Sequence, residues 1–167
     1  MRNLKTFTAV AAIALTMGVV GVSAASATVT FDGTISGSTW AGAVGPCDFS
    51  ITSTGRPSPT AATTLTLDAA TFAGRGTTQP CDPTSLQILN NITVNTNATA
   101  MSGTLSSFRV KDNVSGCTYN VAAGTTINND TTAGSDGKWA GTGSATSSNF
   151  PCIFAPASIT VSDGLFT

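Results

Sequence analysis

Ser115-Gly116-Cys117-Thr118-Tyr119-Asn120-Val121 places cysteine, aromatic and β-branched side chains at alternate positions. In an extended strand all three turn to one face. The same pattern stands earlier, at Gly45-Pro46-Cys47-Asp48-Phe49-Ser50-Ile51. Each stretch is followed by a second cysteine at almost the same distance: Cys47 to Cys81 is 34 positions and Cys117 to Cys152 is 35. The spacing describes two related halves, about 28–95 and 96–167, each with a strand anchored by a disulfide.

Outside these stretches the pattern is also that of strands. Val29, Phe31, Gly33 and Ile35 alternate with Thr30, Asp32 and Thr34, and Leu65 and Leu67 alternate with Thr64 and Thr66, as half-buried strands require. Leu86, Ile88, Asn90, Ile92 and Val94 share one parity, so either two strands meet at Asn90-Asn91 or one strand is kinked there. Met101, Gly103 and Leu105 lie on odd positions, Phe108 and Val110 on even ones; the parity change predicts a bulge near Ser106-Ser107. Gly55-Arg56-Pro57-Ser58-Pro59 and Gly74 to Pro83 read as loops, and Phe150-Pro151-Cys152-Ile153-Phe154 leads to a last strand with Ile159 and Val161. No helical period is sustained, and Thr and Val stand where helix formers are needed. The fold class is all-β, an antiparallel β-sandwich or a compact barrel. An outer-membrane barrel is the weaker reading, with Trp40, Tyr119 and Trp139 as its few interfacial aromatics.

Residues 1–27 read as a secretory signal peptide: Arg2 and Lys5, then a mostly apolar stretch from Phe7 to Val22, then Ala25-Ser26-Ala27. Cleavage is expected after Ala27, with Ala25 as the neighbouring site. A retained membrane helix needs about 20 apolar residues, and Thr8, Thr16 and Gly18 dilute a shorter run. The remaining 28–167 make a single all-β domain, expected to be secreted and extracellular. Four cysteines in such a chain imply two disulfides. The repeat favours Cys47–Cys81 with Cys117–Cys152, and the rival pairing is Cys47–Cys117 with Cys81–Cys152. Each loop of this size is worth about 3–4 kcal/mol in the loop-entropy model. A zinc site lacks both a CxxC pair and any histidine.

Five cations, Arg56, Arg75, Arg109, Lys111 and Lys138, face eight Asp after the signal, a net charge of −3. Nucleic-acid binding needs clustered Lys or Arg, and none is present. General acid–base chemistry recruits His, Glu or Asp; the chain has no His and no Glu. Asp32, Asp48, Asp68 and Asp82 could form a glycosidase pair, but solvated, structural carboxylates are the ordinary case. The expectation is a non-enzymatic protein without cofactor or metal. Asn128-Asn129-Asp130 with Ser135-Asp136-Gly137 is oxygen-rich, yet it lacks an EF-hand's alternating ligands and reads first as a hairpin turn. Four sequons, at Asn91, Asn97, Asn113 and Asn129, are what chance yields in a Thr- and Asn-rich chain. Trp40 and Trp139 both stand in Trp-Ala-Gly. They read as an aromatic pair for an apolar ligand or carbohydrate, or as core residues, the latter being commoner.

Through Ala70-Thr71-Phe72-Ala73-Gly74, Cys81, Cys117-Thr118-Tyr119 and Cys152-Ile153-Phe154-Ala155 leading into Ile159-Thr160-Val161, the chain resembles a family of small secreted bacterial proteins, the protein activators of alkane oxidation. The resemblance implies an extracellular accessory protein connected with growth on hydrocarbons, and it transfers no catalytic residue. Two functional expectations follow. One is a secreted accessory protein acting by binding or surface activity on a hydrophobic surface, a hydrocarbon or the cell envelope. The other is a self-associating structural or matrix protein, motivated by the scarcity of charged gatekeepers along Thr60–Thr71 and Leu86–Ala100.

Overall fold

The computed structural model describes residues 28–39, 42–58, 60–97, 102–130, 137–154 and 157–167; residues 1–27, expected to be a signal peptide, and Trp40 lie outside them. Among the described residues there are eleven strands, one turn of 3₁₀ helix at Cys152–Phe154 and no α-helix. The strands are β1 (Thr28–Thr39), β2 (Gly42–Thr54), β3 (Thr63–Gly74), β4 (Leu86–Ile88), β5 (Ile92–Thr96), β6 (Ser102–Leu105), β7 (Phe108–Asp112), β8 (Cys117–Val121), β9 (Thr126–Asp130), β10 (Lys138–Thr146) and β11 (Ala157–Phe166).

Of the two expected architectures the chain takes the barrel. Eight strands follow one another as β1-β2-β3-β5-β6-β9-β10-β11, and β11 pairs back onto β1, antiparallel throughout. Closure follows from the alternation read in the sequence. Phe31 and Ile35 of β1 and Phe49 and Ile51 of β2 are buried, whereas Thr30, Thr34, Ser50 and Thr52 occupy the intervening outward positions. Closing the ring also removes free strand edges. β3 lies between β2 and β5, and β5 between β3 and β6. Hydroxyls bond β2 to β3 where the ladder is interrupted and where it ends: Thr52 N donates to Thr71 Oγ1 at 2.7 Å and Thr66 N to Thr54 Oγ1 at 3.1 Å.

Aromatic rings fill one part of the interior. Phe31 lies 4.6 Å from Phe166 and 6.0 Å from Phe49 between ring centroids, and Trp139 meets Phe166 edge-on at 6.2 Å. The wall opposite Phe31 has to be bare: a Cβ at Gly164 would press into the Phe31 ring and lie 2.9 Å from the Trp139 carbonyl oxygen.

The remaining strands form a small sheet, β8-β7-β4, joined to the barrel where Ala145 and Thr146 of β10 pair with Val121 and Asn120 of β8. Its connection explains the parity change in the sequence. β4–β5 and β6–β7 are the arms of one long, bent hairpin: β5 pairs with β6 in the barrel and β4 with β7 outside it. From Ile88 to Val94 is six positions, while from their partners Val110 to Leu105 is five. The surplus residue therefore falls at Asn90-Asn91, opposite a break between β6 and β7 at Ser106-Ser107. The extra residue expected near the two serines thus lies across from them, at Asn90-Asn91, where two strands meet. Asn90 ties the bend together. Its Nδ2 donates to the carbonyls of Asn91 and Ser107, both at 3.2 Å, and its Oδ1 accepts from Arg109 N at 2.9 Å. Asn91 Oδ1 accepts from Ala69 N at 2.9 Å.

The β7–β8 turn is organised by Asp112, itself buried. Its carboxylate accepts from Val114 N at 2.9 Å and Ser115 Oγ at 2.7 Å, and Gly116 closes the turn at φ 74°. The disulfides are Cys47–Cys81 and Cys117–Cys152, with Cα separations of 5.0 and 5.9 Å, the pairing the repeat favours. The two cysteine strands nevertheless occupy different places: β2 is a barrel stave, β8 belongs to the appended sheet.

Candidate functional site

Each disulfide fastens a loop to a strand. Cys47–Cys81 holds the β3–β4 loop on β2, and Cys117–Cys152 holds the β10–β11 connection on β8. The second of these presents an unusual surface. Cys117 and Cys152 are 0% and 3% exposed, yet their neighbours Phe150, Ile153 and Phe154 are 79%, 48% and 67% exposed. The two phenylalanine rings meet edge-to-face at 5.9 Å and 85°. Below them Ile153 N donates to Asn149 O at 3.0 Å and Phe154 N to Pro151 O at 3.2 Å, and Asn149 N to Ser147 Oγ at 3.1 Å.

The local sequence accounts for this knob. In an extended strand Phe150, Cys152 and Phe154 would share one face and be buried together. Pro151 supplies no amide for a ladder, and the 3₁₀ turn at Cys152–Phe154 sends consecutive side chains in different directions. Only the cysteine points inward. No charged residue occurs between Lys138 and Asp163, so the knob stands on an uncharged stretch. Apolar side chains scattered singly over a surface need no explanation, but three within five residues, clustered and anchored from below, make this turn the candidate site.

The residues singled out from the sequence fall elsewhere. Trp139 is 2% exposed and sits on the inward face of β10, so its ring is core and offers nothing to a ligand at the surface. Trp40 lies outside the described residues, as does most of Asn128–Gly137. Asp32 and Asp48 do line one surface depression, together with Arg75, Asp163 and Thr167. Each is already engaged: Asp32 pairs with Arg75, and Asp48 accepts from Thr34 Oγ1 at 3.0 Å. Asp68 Oδ1 accepts from Ala70 N at 3.1 Å. Asp82 caps its own turn: hydrogen bonds from the Ser85 hydroxyl, then the Thr84 hydroxyl and amide, lower its pKa to about 2. These are structural roles. Among the described residues no group of three or more His, Cys, Asp or Glu is placed to hold a metal ion, and no helix is long and apolar enough to cross a membrane.

Sequence reading missed the knob because its aromatic residues carry the parity of a buried strand. The signal available was Pro151 between them, preceded by the polar run Ser147-Ser148-Asn149. Comparison with protein-family models, with curated proteins and with solved structures gives no match.

Proposed function

We propose that this is a secreted, non-enzymatic protein that acts by adsorbing to an apolar surface through the knob formed by Phe150, Ile153 and Phe154. The observation that carries this reading is the exposure of two phenylalanines and an isoleucine on a turn fixed to the appended sheet by a buried disulfide. Two disulfides suit an oxidising compartment, and the signal-like segment and the resemblance to the alkane-oxidation activators point the same way. A rigid turn loses little conformational freedom on binding, so apolar contact is converted into affinity with small ordering cost. Full burial of a Phe or Ile side chain is worth about 1.5–3 kcal/mol. Scaled by their exposure, the three side chains supply about 4 kcal/mol, or roughly a thousandfold in partition. The barrel interior does not support a rival reading as a carrier of long-chain hydrocarbons: its cavity of about 60 Å³ is well below the roughly 300–1,000 Å³ of pockets for larger ligands.

The test is adsorption of the oxidised mature protein to a hexadecane–water interface, compared with Phe150→Ser/Phe154→Ser. Saturable adsorption that falls by about a hundredfold in the double variant is expected, at about 1.4 kcal/mol per tenfold. Equal adsorption of the two proteins would refute it. A second reading rests on the same knob: a second copy could cover it, giving self-association. That reading requires a concentration-dependent oligomer, measurable by sedimentation, which the double variant abolishes. Among the described residues of Thr60–Thr71 and Leu86–Ala100, edge-to-edge pairing has only the short terminal strand β4 to act on, because β3 and β5 each have barrel neighbours on both sides.

A further inference from the structure

The barrel interior and the depression at the seam with the appended sheet meet at Phe108. The interior cavity is lined only by apolar side chains, among them Ile127, Trp139 and Phe166 of the barrel and Ile88 and Phe108 of the appended sheet. With no polar group to hold water it is dry. Its volume of about 60 Å³ equals roughly two water molecules' share of the liquid, room for one apolar molecule of two or three heavy atoms. Outside, at the seam between barrel and appended sheet, lies a depression of about 310 Å³ bordered by Asn90, Ser107, Arg109 and Asn120. Phe108 lines both spaces, and it is the first residue of β7, directly after the Ser106-Ser107 break. The appended sheet meets β10 through only two register pairs.

We propose that the barrel core is a binding site for a single small uncharged apolar molecule, a two- or three-atom hydrocarbon or a dissolved nonpolar gas, entered from the seam past Phe108. The site is separate from the knob, and either can fail without the other. Size selects the ligand: a linear molecule of two or three heavy atoms fits, whereas an aromatic ring does not. Phe108 sets both the limit and the exchange rate, since displacing its ring joins the cavity to the outer depression.

Xenon is the probe, because it reports apolar cavities without hydrogen bonding. Crystals of the oxidised protein under xenon pressure are expected to show one atom beside Trp139 and Phe108, and xenon NMR in solution to show saturable binding. Val94→Ile adds one methylene to the cavity wall from β5, where Val94 is 1% exposed. It is expected to weaken xenon binding by about tenfold or more while the circular dichroism stays that of the parent. Phe108→Ala is expected to accept benzene, seen as a raised melting temperature with benzene present that the parent lacks. An empty core under xenon, or equal binding by Val94→Ile and the parent, would overturn the proposal. Should Phe108→Ala fail to fold, the Val94→Ile comparison decides the matter.

Discussion

Replacing Asn90 by alanine removes a side chain that bonds both arms of the bent hairpin at the bend itself. Three hydrogen bonds are lost: to the carbonyls of Asn91 and Ser107, and from the amide of Arg109. A neutral hydrogen bond contributes about 0.5–1.5 kcal/mol net, and water can reach this bend, so the loss is about 2 kcal/mol rather than the maximum. In a domain of this size each kcal/mol moves the melting temperature by about 3–5 °C. The expected fall is therefore about 6–10 °C. Hydrogen exchange gives the sharper reading. The Arg109 amide loses its acceptor in Asn90→Ala and should exchange faster, whereas Asn90→Asp keeps an acceptor for Arg109 but has no donor for Ser107 O. Asn90→Asp should thus retain protection at Arg109 while still losing stability. A melting temperature within about 1 °C of the parent, with unchanged protection at Arg109, would refute the claim that Asn90 holds the bend.

Three further outcomes are expected. Gly164→Ala would set a methyl against the Phe31 ring and 2.9 Å from the Trp139 carbonyl oxygen, and should cost about 1–3 kcal/mol in urea unfolding; a neutral result would mean the interior is looser than described. Asp82, held at about pKa 2 against 3.8 when free, stabilises the fold above about pH 3.8, and that contribution is lost as the pH falls towards 2. The acid branch of the stability profile should accordingly flatten in Asp82→Asn, and an unchanged profile would remove Asp82 as a cause. Cys117→Ser/Cys152→Ser should cost about 2–5 kcal/mol and also diminish adsorption to oil. Cys47→Ser/Cys81→Ser should cost a similar amount and leave the adsorption of the folded protein unchanged.

Much of the barrel was legible in alternation. Phe31 with Ile35, Leu65 with Leu67 and Cys117 with Tyr119 are all buried in the parity their strands announced, because a stave with one wet face must alternate. The disulfide pairing was legible from equal spacing. Which strands close the ring was not, since pairing depends on long-range register, and similar local patterns at Cys47 and Cys117 ended in a barrel stave and in an appended strand. The bend at Asn90 was visible only as ambiguity: its parity is unbroken on one arm and broken on the other, and the two arms must be laid side by side before the surplus residue can be placed. The site was the least legible part. Trp139, read as a ligand contact or, more commonly, a core residue, is core, while Phe150 and Phe154 share the parity of the buried Cys152 and are exposed, because one proline and one 3₁₀ turn override strand parity.

The most direct test of the central claim places a reporter on the knob itself. Phe154→Trp in a Trp40→Phe background leaves Trp139, already buried, and the new indole as the only tryptophans. On adsorption to hexadecane droplets the account predicts a blue shift of the emission and loss of quenching by iodide, both reversed when the protein is displaced. Adsorption with the indole still wet and quenchable would show that some other surface makes the contact.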